Sequence, residues 1–141
     1  MITRVAPLAI LALVLPGWAE TDDQILRIAD NTAAEQATVS QADQVAGREM
    51  DIGRALIGQR NYTGALNRFK IVVTRYQASR HVEEAWERIV EAYLALGIVC
   101  EAQNVASVLD QKFPDGRWTA AAREALKAAG LEPAENERRC Y

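Results

Sequence analysis

From residue 44 onward the apolar positions recur at helical spacing, and they do so twice. Ile52 and Leu56 mark the first stretch, and Trp86, Ile89, Tyr93 and Leu96 mark its counterpart. Residues three and four apart share a helix face, so each stretch predicts an amphipathic helix with one buried side. A short turn follows at residues 58–61 and again at Gly97-Ile98. A second helix then carries Ala65, Phe69, Val72 and Tyr76 in one stretch and Ala102, Ala106, Leu109 and Phe113 in the other. Gln77-Ala78-Ser79 and Pro114-Asp115-Gly116 end these helices, the second through the strong stop signal of Pro114.

The two stretches align at a constant offset of 37 residues, which pairs Ala65 with Ala102, Arg60 with Gly97, Ile52 with Ile89 and Val72 with Leu109. The repeating unit is a helix hairpin, and a small side chain at Ala65 or Ala102 lets the two backbones approach closely. The pattern resembles the tetratricopeptide repeat. The second unit has Trp86, Tyr93, Gly97, Ala102 and Pro114 at that family's positions, and the first has Gly53, Tyr62, Ala65 and Phe69. It departs in Gln77 for proline, in Val90 for glycine, and in a longer period, which implies a longer turn between units. The fold class expected is all-α, a solenoid of helix hairpins with flanking caps. The amino-terminal cap is a thin-striped helix through Ile25, Ile28, Ala29 and Ala33, and the carboxyl-terminal cap is a helix over 118–129 ended by Gly130 and Pro133.

The opening residues follow another pattern. Arg4 precedes an apolar run over 5–15, Pro16 and Gly17 break it, and Gly17-Trp18-Ala19 suits a signal peptidase, so cleavage after Ala19 is expected. The run is far shorter than the roughly 20 apolar residues that span a bilayer. No cysteine follows it to receive a lipid. The organisation read from the sequence is a signal peptide over 1–19, an amino-terminal helix or linker over 20–43, a repeat domain over 44–130 and a disordered tail over 131–141, in an exported protein.

Composition narrows the function. Half of the residues are apolar, a quarter are charged and the net charge is -3, with no basic field to gather phosphates, so nucleic acid is not an expected partner. Cys100 and Cys140 are either one bridge closing a loop of about 40 residues or a half-buried Cys100 beside a free Cys140, and the polar run over 135–139 favours the second. His81, the single histidine, stands at a helix start with no second ligand at metal spacing. No Gly-rich phosphate loop and no nucleophile elbow is present, so no cofactor, small-molecule substrate or catalytic role is expected.

Glu83, Glu84, Glu87 and Glu91 form the one conspicuous charge cluster. Composition favours a merely solvated face. The alternative follows from the resemblance: first helices of tetratricopeptide hairpins line the binding surface, so Glu84, Glu87 and Glu91 would receive a basic peptide, and Met50, Arg54 and Ile57 would form a more apolar patch beside them.

A closer resemblance lies in residues 47–54, Asn61-Tyr62, residues 65–69 and Tyr76-Gln77, and in His81-Val82, Glu84-Ala85, residues 91–97, Glu101-Ala102 and Phe113-Pro114. These stretches resemble the BamD family, periplasmic lipoproteins of the outer-membrane barrel-assembly machinery, over about residues 45–128 and in its last two repeats only. The resemblance implies a non-catalytic scaffold that meets the outer membrane through partners. The contact with the barrel-forming subunit would fall at Asn67 and Arg68. Composition alone makes Arg68 an ordinary surface arginine. The competing function is a periplasmic adaptor coordinating envelope constriction or peptidoglycan synthesis.

Overall fold

A computed structural model describes residues 19–134 of the chain, so the expected signal peptide falls outside the described residues except for its last residue, as does residue 135 onward of the expected tail. Five helices follow one another, with no strand among the described residues: α1 (Ala19–Gly58), α2 (Tyr62–Arg75), α3 (Val82–Ala95), α4 (Val99–Lys112) and α5 (Arg117–Ala128). The fold is the expected all-α repeat, with α1 and α2 as one hairpin, α3 and α4 as the next, and α5 as the cap. None of the described helices is long and apolar enough to cross a membrane.

The chain divides into two compact units, residues 1–36 and 37–141. In the first, the described residues are the opening turns of α1, whose Ile25 and Ile28 are both exposed. In the second, the rest of α1 joins the hairpins without a break at the boundary expected near residue 43.

Two apolar clusters hold the second unit. Ala46 and Met50 of α1, Ala65, Phe69 and Val72 of α2, and Val82, Ala85 and Ile89 of α3 build the first. Val90 of α3, Ala102, Ala106 and Leu109 of α4, and Ala122 and Leu126 of α5 build the second. The inward stripe of α1 is Ala46, Met50, Gly53 and Ile57, spaced four, three and four, and it corrects two expectations. Ile52 is not buried but 42 % exposed, whereas its counterpart Ile89 is 1 % exposed. The cause is position in the stack: α1 and α2 cover Ile89, and no described hairpin stands on the equivalent side of α1. Met50, expected on an apolar docking patch, is fully buried in the first cluster.

Gly53 sets how closely α1 and α2 cross, because a Cβ placed there would lie 2.6 Å from Cζ of Phe69, whose ring is fully buried. In the second hairpin the offset of 37 puts Val90 at the glycine position and Ala106 at the phenylalanine position, both in the second cluster. The missing glycine of that repeat is thus matched by a smaller side chain opposite.

Three helices end on the same turn. The amides of Asn61, Ile98 and Leu131 bond back to the carbonyls of Leu56, Tyr93 and Leu126, each at 2.9 Å. The turn needs a left-handed residue before the closing amide; Gly97 and Gly130 supply it at φ +72°, but Arg60 does so at φ +59°. A side chain in that region costs roughly 1–2 kcal/mol, partly offset in a glycine variant by its extra freedom when unfolded. Arg60→Gly is therefore expected to stabilise by about 0.5–1 kcal/mol, read as a higher urea midpoint in circular dichroism. A lower midpoint would show that Arg60 contributes more than its backbone strain.

The elements are then locked by long-range caps. Asp43 of α1 accepts from the amide of Arg80 at 3.1 Å, pinning the turn between α2 and α3. Its hydrogen bond with Ser79, assisted by Arg80, holds its carboxyl below the ordinary aspartate pKa. His81 precedes α3, as expected of a helix-start residue, with its ring against Gly47. Glu83 reaches across to cap α5, its Oε1 accepting from Trp118 and Thr119 at 2.9 and 3.3 Å. After α5 the chain turns back onto α4, where Gln103 donates to the carbonyl of Glu132 at 2.7 Å and accepts from the amide of Ala134 at 3.2 Å. One turn before Gln103, Cys100 is disulfide-bonded; Cys140, the other cysteine, lies outside the described residues.

Candidate protein-docking site

The expected acidic row sits on α3, and the fold surrounds it with arginines. Arg54 of α1 donates to Glu84 at 2.6 Å and to its own-helix neighbour Asp51 at 2.7 Å. Arg88, one turn after Glu84, donates to Glu91 at 2.7 Å and lies 3.7 Å from Glu84 and 3.6 Å from Glu87. On its other side the Arg88 guanidinium stands 5.5 Å from the ring centre of Trp118 of α5, which Arg117 also faces at 4.7 Å. The row therefore ties α1, α3 and α5 together.

The members differ in accessibility. Glu91 and Arg54 each keep 37 % of their side-chain surface, Glu84 keeps 14 %, and Glu87 only 9 %. Burial is the main cause that pushes the Glu87 carboxyl up to about 7; Arg88 opposes the shift, and the charges of Glu91 and Glu84 add to it. Its Oε2 has no hydrogen-bond partner. For Arg88, burial works against the charge, but the Glu91 hydrogen bond and the surrounding carboxylates outweigh it and raise its pKa. Arg54 behaves alike, with Asp51 and Glu84 outweighing burial.

This arrangement differs from a solvated acidic face and from an open row awaiting a basic peptide. Its carboxylates already have cations, and a basic ligand would have to displace Arg54 or Arg88. Glu91, at the exposed end, is the carboxylate best placed to meet one. Arg88, Asp51 and Trp118 belong to the network although the docking row expected from the sequence contained none of them. Arg88 was legible in its spacing, four residues after Glu84 and three before Glu91.

The remaining candidates lie elsewhere. Ile57 is half-buried against the first cluster, and Met50 is beneath the surface. Asn67 is exposed on α2, and Arg68 beside it is 43 % exposed and donates to Glu49 of α1 at 3.2 Å. The structure thus brings Arg54, Glu84, Glu87 and Glu91 together and leaves Asn67 and Arg68 at the separate seam of α1 and α2. No group of three or more potential metal ligands occurs among the described residues.

Comparison with known proteins places this architecture. The curated relatives include the outer membrane protein assembly factor BamD of Caulobacter vibrioides, 44 % identical over 92 residues, which are 65 % of this chain and 30 % of the relative. BamD of Rickettsia prowazekii is 40 % identical over 85 residues, 60 % of this chain and 34 % of the relative. BamD of Neisseria meningitidis is 31 % identical over 93 residues, 64 % of this chain and 35 % of the relative. The chain spans about a third of the length of the curated relatives it matches. No solved structure matches it. The YfiO family, described as outer membrane lipoprotein, matches residues 31–108, more than half of the chain and most of both hairpins, and the chain belongs to that family.

Proposed function

We propose that the chain is a non-catalytic periplasmic scaffold for outer-membrane β-barrel protein assembly, working by docking to a protein partner, with residues 1–19 as its export signal. The observation that carries this reading is the position of the family match: residues 31–108 cover most of both hairpins, so what is shared with the assembly factors is the helical framework itself. The barrel-forming subunit of the assembly machinery is the partner this reading names, with Asn67 and Arg68 on the contact. Arg68 suits the role, since its hydrogen bond to Glu49 uses one of the five guanidinium N–H donors and the side chain stays 43 % exposed.

The test is recovery of the barrel-forming subunit on the tagged chain from detergent-solubilised envelopes, followed by calorimetry with the purified pair. Arg68→Gln is the informative variant, because Arg68→Glu would also set two carboxylates face to face at Glu49 and lower the melt. Glutamine can still donate to the part-buried Glu49, so Arg68→Gln should cost no more than about 1 kcal/mol of stability and weaken the complex about tenfold. Equal binding by Arg68→Gln and the parent would remove Arg68 from the contact, and failure to recover the subunit would overturn the partner.

A further inference from the structure

Trp86, Tyr93, Val105 and Phe113 each pack against both apolar clusters, so they form the seam between the hairpins, and each keeps surface of its own. Trp86 and Tyr93 are seven residues apart on α3, on the side away from Glu84, Arg88 and Glu91. Two cavities open over this seam. One, of about 300 Å³, is lined by Val73, Val82, Trp86, Phe113, Gln77 and Lys112. The other, of about 310 Å³, has Trp86 on one side and the α4 residues Val105, Val108 and Gln111 on the other. Both border the same indole, so they form one groove, with α2 walling the first cavity only and α4 contributing to both.

We propose that this groove docks an amphipathic acidic helix from a partner protein. The two cavities each hold one large apolar side chain, and they adjoin around a single ring, which fits residues one helical turn apart, whose Cβ atoms lie about 5–6 Å from each other. The acidic character follows from the charge of the walls. Lys70 of α2 is exposed with its ammonium 5.2 Å from the ring centre of Tyr93, and Lys112 of α4 lines the first cavity itself. Glu101 lines the second cavity, so the carboxylates of the ligand face Lys70 and Lys112 and not the whole length of the groove. This surface is separate from the row of Arg54, Arg88 and their carboxylates, and from Arg68.

The experiment uses the full chain and three synthetic helical peptides of about 14 residues: one with leucines at i and i+4 flanked by glutamates, the same with lysines for glutamates, and the same with serines for leucines. Binding is followed by chemical-shift mapping up to millimolar peptide, where even weak docking is seen. The acidic leucine peptide is expected to move the Trp86 indole, Val105, Val108 and Lys112, and the other two to leave them in place. Lys112→Glu should weaken binding at least tenfold and Val108→Asp should abolish it, each with a melt close to the parent's, since both side chains reach the surface. No shifts, shifts centred on the α1–α3 ionic row, equal binding of the lysine peptide, or Val108→Asp binding like the parent would overturn the proposal.

Discussion

Gly53→Val should be among the most damaging single substitutions in this chain, costing about 3 kcal/mol or more in chemical unfolding. Replacing glycine within a helix ordinarily gains up to about 1 kcal/mol of propensity, so the direction depends on what the new side chain meets. It meets the Phe69 ring, which has 0 % exposure and no room to retreat. Overpacking of this kind typically costs 1–3 kcal/mol, and here the obstruction begins at the Cβ itself. Phe69→Ala alone should cost about 3–5 kcal/mol through its cavity. The double variant Gly53→Val/Phe69→Ala reproduces the Val90 and Ala106 pairing of the second hairpin. Valine then fills part of the space the ring has left, so the double variant should be more stable than the sum of the single effects predicts, with a coupling of about 1–3 kcal/mol. Additive losses would mean that the two hairpins do not solve the same packing problem in these two ways.

The same pair explains what could be read from the sequence and what could not. The repeat, its offset and the small residues Ala65 and Ala102 were legible because a helix hairpin imposes a periodic pattern on the chain. The depth of individual residues was not. α1 carries apolar side chains on neighbouring stripes, Met50 and Ile57 on one and Ile52 and Leu56 on the other, and the inward stripe passes through Gly53, which gives no hydropathy signal. Ile52 also has the right spacing for burial, but spacing cannot say whether a hairpin lies alongside it. The acidic row was visible as a row, yet its character depends on Arg54, which is 30 residues before Glu84 and meets it only through the packing of α1 on α3. Arg68 likewise looked free because Glu49 lies on another helix.

Glu87 turns that network into a measurable pH dependence. With a native carboxyl pKa of about 7 against an ordinary value of 4.5, the folded chain binds more protons than the unfolded chain between these limits. Stability must then fall as pH rises, with full stability below about pH 4.5 and the penalty complete above about pH 7. The carboxyl is almost fully buried, with one oxygen lacking a hydrogen bond, so the loss across the window should be on the order of 2–3 kcal/mol. Asp43 acts with the opposite sign, since its lowered pKa contributes stability above the ordinary aspartate value of 3.8 that is lost as pH falls further. The two windows hardly overlap, and a series of urea midpoints from pH 5 to 8 reads Glu87 nearly alone. Glu87→Gln keeps the shape and removes the proton. It should flatten that series, matching the parent near pH 5 and exceeding it by about 1–2 kcal/mol at pH 8, the remainder being the cost of a buried amide with an incomplete set of partners. A parent midpoint that rises from pH 5 to 8, or a Glu87→Gln protein with the parent's slope, would show that the Glu87 carboxyl does not carry this pH dependence.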